Sequence, residues 1–120
     1  MQISLKGTEH GNNSLVKMED IGEDNEALIC STGFYPCCGT PPNRFGEWYY
    51  PDGSNVRPIG SGDTFYRNRL DDGTVRLHRR SSGTLPASGR YKCAIPNNQG
   101  NTINMFVQIL SDNCKFTQIK

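Results

Sequence analysis

Five cysteines and two histidines carry the most specific chemistry this chain could offer, and two of the cysteines, Cys37 and Cys38, are adjacent in the stretch GFYPCCGTPP. A thiol of lowered pKa would serve as a nucleophile or redox switch, but it needs a neighbouring base. His10 and His78 lie far in sequence from every cysteine, and no C-x-x-C pair occurs, so neither a helper base nor a zinc-ligand set is in view. No metal, no cofactor and no catalysis are expected, because no nucleophile, base and orienting group fall in mutual reach. Disulfide bonding is the other use of sulfur, and it persists mainly outside the cytosol. Because five is odd, at least one thiol must stay free or join another molecule.

Short strands must position these residues. A length of 120 residues suits one domain, and a hydrophobic share of 34% is a thin supply for its core, so a covalent staple would help. No long stretch repeats apolar residues at helical spacing, whereas short alternating runs recur between turn signals. QISL and SLVKM read as one first strand broken by the polar GTEHGNN. NEALICST sets Leu28, Cys30 and Thr32 on one face and Ala27, Ile29 and Ser31 on the other. GEWYY follows, then PDGS as a tight turn, then SNVRPI as a short edge strand blunted by Pro58. TFYRNRL and GTVRLHR flank the hairpin signal DDG, and GRYKCAI and TINMFVQIL flank PNNQG, with Ile103, Met105, Val107 and Ile109 on one face. The expected division is a domain over residues 1–110 and an exit segment or linker over 111–120.

Eight or nine short strands at this spacing suggest two packed sheets. Cys30 in one strand, Trp48 in the next, and Cys93 two residues after Tyr91 in the penultimate strand together resemble the immunoglobulin domain. The resemblance runs from about Ile3 to Leu110 and implies an all-β, immunoglobulin-like Greek-key β-sandwich of two antiparallel sheets, V- or I-type. It implies a Cys30–Cys93 bridge between the sheets, Trp48 packed against it, and Tyr91 at the tyrosine corner. Two departures stand out: Ala87 replaces the familiar Asp of D-x-G-x-Y-x-C, and the Cys30 to Trp48 interval is long, which places Cys37 and Cys38 in the BC loop. PCC, GEWYYPDG, FYRNRLDDGTVRLHRR and GRYKCAIPNNQG further resemble immunoglobulin-like domains of sponge surface proteins, including receptor tyrosine kinases and adhesion molecules. Relatives there often carry extra cysteines on strands F and G, where this chain has Lys92 and no cysteine before Cys114.

Cys114 ends up far from the other pair. Strand G runs from the top loops to the bottom, about 30 Å at about 3.3 Å per residue, whereas bridged Cα atoms lie within about 7 Å. Cys37 and Cys38 are left with a vicinal bridge, a bridge to another chain or domain, or free thiols. Cys114 is an interdomain or intermolecular cysteine, or unpaired.

Three candidate surfaces follow. Phe34, Tyr35, Arg44 and Phe45 in or beside the BC loop share a pole with Asn97 and Asn98 of the FG loop, where rings can anchor a partner or pack under the loop. Tyr49 alternates with inward Trp48 and should face outward on the C, F, G sheet. Arg67, Arg69, Arg76 and Arg80, with His78, Arg79, Arg90 and Lys92 nearby, would form a positive patch on the D and E strands suited to an acidic glycan. Against that, Glu19, Asp20, Glu23, Asp24 and Glu26 lead into strand B beside E and should neutralise Arg79 and Arg80. Asn12-Asn13-Ser14 is an N-glycosylation sequon in a polar turn.

The net charge of +1 calls for neither nucleic acid nor membrane insertion. No apolar run after Met1 suits a signal peptide, and none is long enough to span a bilayer. The expectation is a domain of a longer secreted or membrane-anchored protein, placed outside the cell. It would be a non-catalytic recognition or adhesion module that contacts a protein partner, or a copy of itself, through the BC and FG loops or the C, F, G face. The alternatives are a structural spacer within a receptor tyrosine kinase-type ectodomain and an acidic-glycan-binding module.

Overall fold

A computed structural model describes residues 2–31, 46–70, 74–96 and 101–111. Among the described residues nine strands pack as two sheets: β1 (Gln2–Leu5), β2 (Thr8–His10), β3 (Ser14–Lys17), β4 (Leu28–Ser31), β5 (Glu47–Tyr49), β6 (Phe65–Arg69), β7 (Val75–Arg79), β8 (Gly89–Pro96) and β9 (Thr102–Leu110). One sheet runs β2-β1-β4-β7-β6 and the other β3-β9-β8-β5. With β4 to β9 in the B to G places, this is an immunoglobulin-like β-sandwich, its A, B, E, D strands facing its C, F, G strands.

Alternation explains the core. Leu28 and Cys30 of β4, Val75 and Leu77 of β7, Tyr91 and Cys93 of β8, and Val107 and Ile109 of β9 are all fully buried, since every second side chain points between the sheets. Cys30 and Cys93 are joined by a disulfide with Cα atoms 6.6 Å apart. Trp48 pairs in register with Cys93 and donates its indole N–H to the Val75 carbonyl at 3.1 Å, a bond from one sheet to the other. Tyr91 packs edge-on against Phe65 with centroids 5.5 Å apart, and its hydroxyl donates to the Ala87 carbonyl at 2.6 Å. Burial pushes the Tyr91 phenol far up, so it stays a donor at every ordinary pH.

The structure departs from expectation in three places. GTEHGNN is not a plain break: Thr8–His10 pairs antiparallel with β1 through a two-residue turn at Lys6 and Gly7, with φ of 51° and 82°. Two successive positive φ values give the mirror-image turn that suits strand twist. Next, β3 pairs with β9 in parallel, so the second sheet is not wholly antiparallel. Finally, SNVRPI makes no full strand. Asn55 bridges to Tyr49 and Pro58 to Arg67 as isolated pairs, because Pro58 lacks the N–H that would continue a ladder.

The PDGS turn closes as its residues dictate. The Gly53 N–H donates to the Tyr50 carbonyl at 3.0 Å, with Gly53 at φ 90°. Asp52 accepts from the Ser54 hydroxyl at 2.7 Å and from the Ser54 N–H at 2.9 Å, and these two bonds hold its carboxyl below the usual range.

Candidate functional site

The basic patch expected on the D and E strands is divided by the register of β6 against β7. Arg67 and Arg69 lie opposite Leu77 and Val75, whose side chains enter the core, whereas Asn68 lies opposite Arg76 and Tyr66 opposite His78. Arg67 and Arg69 therefore project on the core side, and Arg76 and Arg80 on the outer side. A single face carrying all four is excluded. Glu47 on β5 meets both inward guanidinium groups: Arg67 Nε lies 3.1 Å from Oε1 and Arg69 Nη2 lies 2.7 Å from Oε2. Arg69 Nε also donates to the Gly46 carbonyl at 3.0 Å. These two arginines are committed to tying the sheets together.

Arg79 and Arg80 are also engaged, but not by the acidic run. Arg79 Nε donates to the Met18 and Ile21 carbonyls, each at 3.0 Å, at the end of a 3₁₀ turn over Met18–Asp20. Arg80 Nε donates to the Asp63 carbonyl at 3.0 Å, and its guanidinium carbon sits 4.7 Å from the Tyr66 ring centroid. Backbone carbonyls, not the expected carboxylates, satisfy both side chains. Of those carboxylates, Glu23 accepts the Tyr66 hydroxyl at 2.9 Å, and Glu26 pairs with Lys6 at 3.5 Å. His78 does point outward but is buried, its ring parallel to Tyr66 with centroids 5.0 Å apart.

The outer face of the β3-β9-β8-β5 sheet has a different character. Tyr49, Lys92 and Phe106 stand in one row across β5, β8 and β9 by register. Lys92 Nζ lies 4.5 Å from the Tyr49 ring centroid, and Arg90 Cζ lies 3.7 Å from that of Phe106. Both rings are half-buried. At the edge, Leu15 of β3 is 52% exposed beside Gln108. Arg90 Nε donates to Asn13 Oδ1 at 3.1 Å, Phe106 N–H donates to Asn12 Oδ1 at 2.8 Å, and Asn13 N–H donates to the Phe106 carbonyl at 2.7 Å. The turn before β3 is thereby fastened to β9.

Of the residues named from sequence, Tyr49 belongs to this face. Phe34, Tyr35, Arg44, Phe45, Asn97, Asn98, Cys37, Cys38 and Cys114 lie outside the described residues. Sequence reasoning missed Phe106, which the alternation of TINMFVQIL places opposite core residues Met105 and Val107, and it missed Glu47, the charge beside Trp48. Among the described residues no cluster of His, Cys, Asp and Glu is arranged to hold a metal ion, and no helix is long and apolar enough to cross a membrane.

A scan against protein-family models finds no match, and a search of curated proteins finds none. Among solved structures, the chain is similar to the ZIG-8 IG1 homodimer, with a TM-score of 0.45 and 18% identity over 89% of this chain and 87% of that one. The ZIG-8–RIG-5 IG1–IG1 heterodimer gives a TM-score of 0.45 and 18% identity over 87% of this chain and 88% of that one.

Proposed function

We propose that this chain is a recognition or adhesion unit of a cell-surface receptor, of the kind its sequence resembles, and that it contacts a protein partner through the outer face of β3, β9, β8 and β5. The observation that carries this reading is the row of Tyr49, Lys92 and Phe106, in which each ring is held flat under a cation. A solvent-facing sheet surface ordinarily alternates to polar side chains. Rings already fixed by cation–π contact offer broad amphipathic area at little further cost in side-chain entropy. Aromatic and arginine side chains are also the groups that anchor protein interfaces. On the other sheet Arg79 and Arg80 are occupied by backbone carbonyls, which favours the β9-β8-β5 surface as the contact face.

A second copy of the chain is the first partner to test. Sedimentation of the purified domain across rising concentration is expected to show association, and Lys92→Glu, which loses the cation over Tyr49, should weaken it at least about tenfold. A domain that stays monomeric at the highest concentration overturns the self-association arm.

A further inference from the structure

We infer that Asn12 is an N-glycan acceptor whose glycan covers the β3 and β9 margin of this outer face and leaves the β5 margin around Tyr49 open; the part concerning a partner rests on the recognition reading above. Asn12 heads the sequon Asn12-Asn13-Ser14 and is exposed. Its two polar side-chain atoms play different parts. Oδ1 accepts the Phe106 N–H at 2.8 Å, while Nδ2, the atom that glycosylation uses, has no hydrogen-bond partner among the described residues. Modification therefore requires no native bond to break.

The reaction balances with a donor of one chemical class, an oligosaccharide joined to a lipid diphosphate. Nδ2 forms a bond to the anomeric carbon, the lipid diphosphate leaves with the electrons of the broken C–O bond, and the displaced amide proton passes to a base of the host transferase. The product amide keeps Oδ1 as an acceptor, so the Phe106 N–H stays paired. This chemistry belongs to the secretory route, and the Cys30–Cys93 disulfide independently suits the same oxidising compartment.

Attachment geometry decides where the sugar lies. Asn13, at φ 66°, bonds the Phe106 carbonyl through its N–H and Arg90 through its Oδ1. Together with the Asn12 bond, three hydrogen bonds hold the glycan stem beside Phe106 instead of on a free loop. Adjacent strands are about 4.8 Å apart, so β5 lies roughly 10 Å beyond β9. A bulky glycan rooted at β9 shields Phe106 and Leu15 first, and Tyr49 least.

The test uses the whole chain secreted from a eukaryotic host. Intact mass and peptide mapping are expected to show a glycan on Asn12, removed by an amidase that leaves aspartate there. Hydroxyl-radical footprinting should then find Phe106 and Leu15 oxidised at least about threefold more slowly in the glycosylated than in the amidase-treated chain. Ile59 and Leu85, 68% and 56% exposed elsewhere, should react equally in both. Ser14→Ala removes the sequon while keeping the Asn12 to Phe106 bond, and should give an unmodified chain with the footprint of the treated one. A secreted chain unmodified at Asn12, or one modified with unchanged rates at Phe106 and Leu15, overturns the proposal. Neither readout depends on association, so a monomer in sedimentation of the unglycosylated Ser14→Ala chain would count against the recognition reading alone.

Discussion

Both ring nitrogens of His78 are buried without a hydrogen-bond partner among the described residues. A neutral ring there already forfeits its donor bond, and a proton would add an unsolvated charge beside Arg76. Burial first, then Arg76, pushes the His78 pKa below its ordinary 6.5, against weaker opposing pulls from Glu23 and Asp24. The unfolded chain thus binds the proton more readily than the folded one. The contribution of this residue is complete above pH 6.5 and is lost as pH falls from there towards the lower folded value. His78→Phe, which keeps a flat ring against Tyr66 and removes both orphaned nitrogens, should lose less stability than the parent between about pH 7 and about pH 5. Urea midpoints at the two pH values check this, and equal losses in the two proteins would refute it. Glu47 offers a second test, since its side chain is only 23% exposed and holds two arginines. Glu47→Gln should cost about 1–2 kcal/mol, whereas Lys6→Gln, which breaks the more exposed pair with Glu26, should cost less than about 0.5 kcal/mol. Comparable losses would mean that burial does not set the worth of these pairs.

At the scale of elements, the turn between β1 and β2 places Lys6 at φ 51° and Gly7 at φ 82°. Asn-Gly is the pair best suited to such a turn, and lysine is strained there. Lys6→Asn is expected to stabilise the domain by a few tenths of a kcal/mol to about 1 after the exposed Glu26 pair is lost, and Gly7→Ala to destabilise it by about 1 kcal/mol. Thermal midpoints that move in the opposite order would show that this hairpin is not formed. The hairpin also marks the limit of what alternation can disclose. β4, β7, β8 and β9 are legible because each sets apolar residues at every second position and meets a turn signal at its end. Thr8–His10 has three polar residues and no buried residue of its own, so only the turn chemistry of Lys6-Gly7 could have revealed it. The facing of Arg67 and Arg69 was hidden for another reason. Charge content drew four arginines into one patch, yet Phe65 entering the core already fixes residues 67 and 69 on its side of β6. Parity outranks charge when the two disagree. The outer face shows the same rule, since Phe106 follows from its core neighbours while its pairing with Arg90 needs the third dimension.

For the molecule as a whole, three kinds of bond among the described residues join the two sheets: the Cys30–Cys93 disulfide, the Trp48 indole bond to Val75, and the Glu47 bridges to Arg67 and Arg69. All of them come from β5 or β8 on one side and reach β4, β6 or β7 on the other. The proposed contact face lies on the opposite surface of the β5 and β8 sheet, so this stitching backs it from the core side. The disulfide closes a sequence separation of 63 residues, for which the chain-entropy account gives about 4 kcal/mol. Domains of this size keep roughly 5–15 kcal/mol in total, so replacing both cysteines removes a large part of the reserve. Cys30→Ala combined with Cys93→Ala should lower stability by about 4 kcal/mol, read from urea midpoints by the fluorescence of the single tryptophan. Trp48 pairs in register with Cys93, and a disulfide quenches a nearby indole, so the native double variant should also emit more strongly than the parent. A loss below about 1 kcal/mol with unchanged emission would mean that hydrogen bonds and ion pairs alone hold the sheets in register. A full loss would make oxidation a precondition for the outer face to exist as a binding surface.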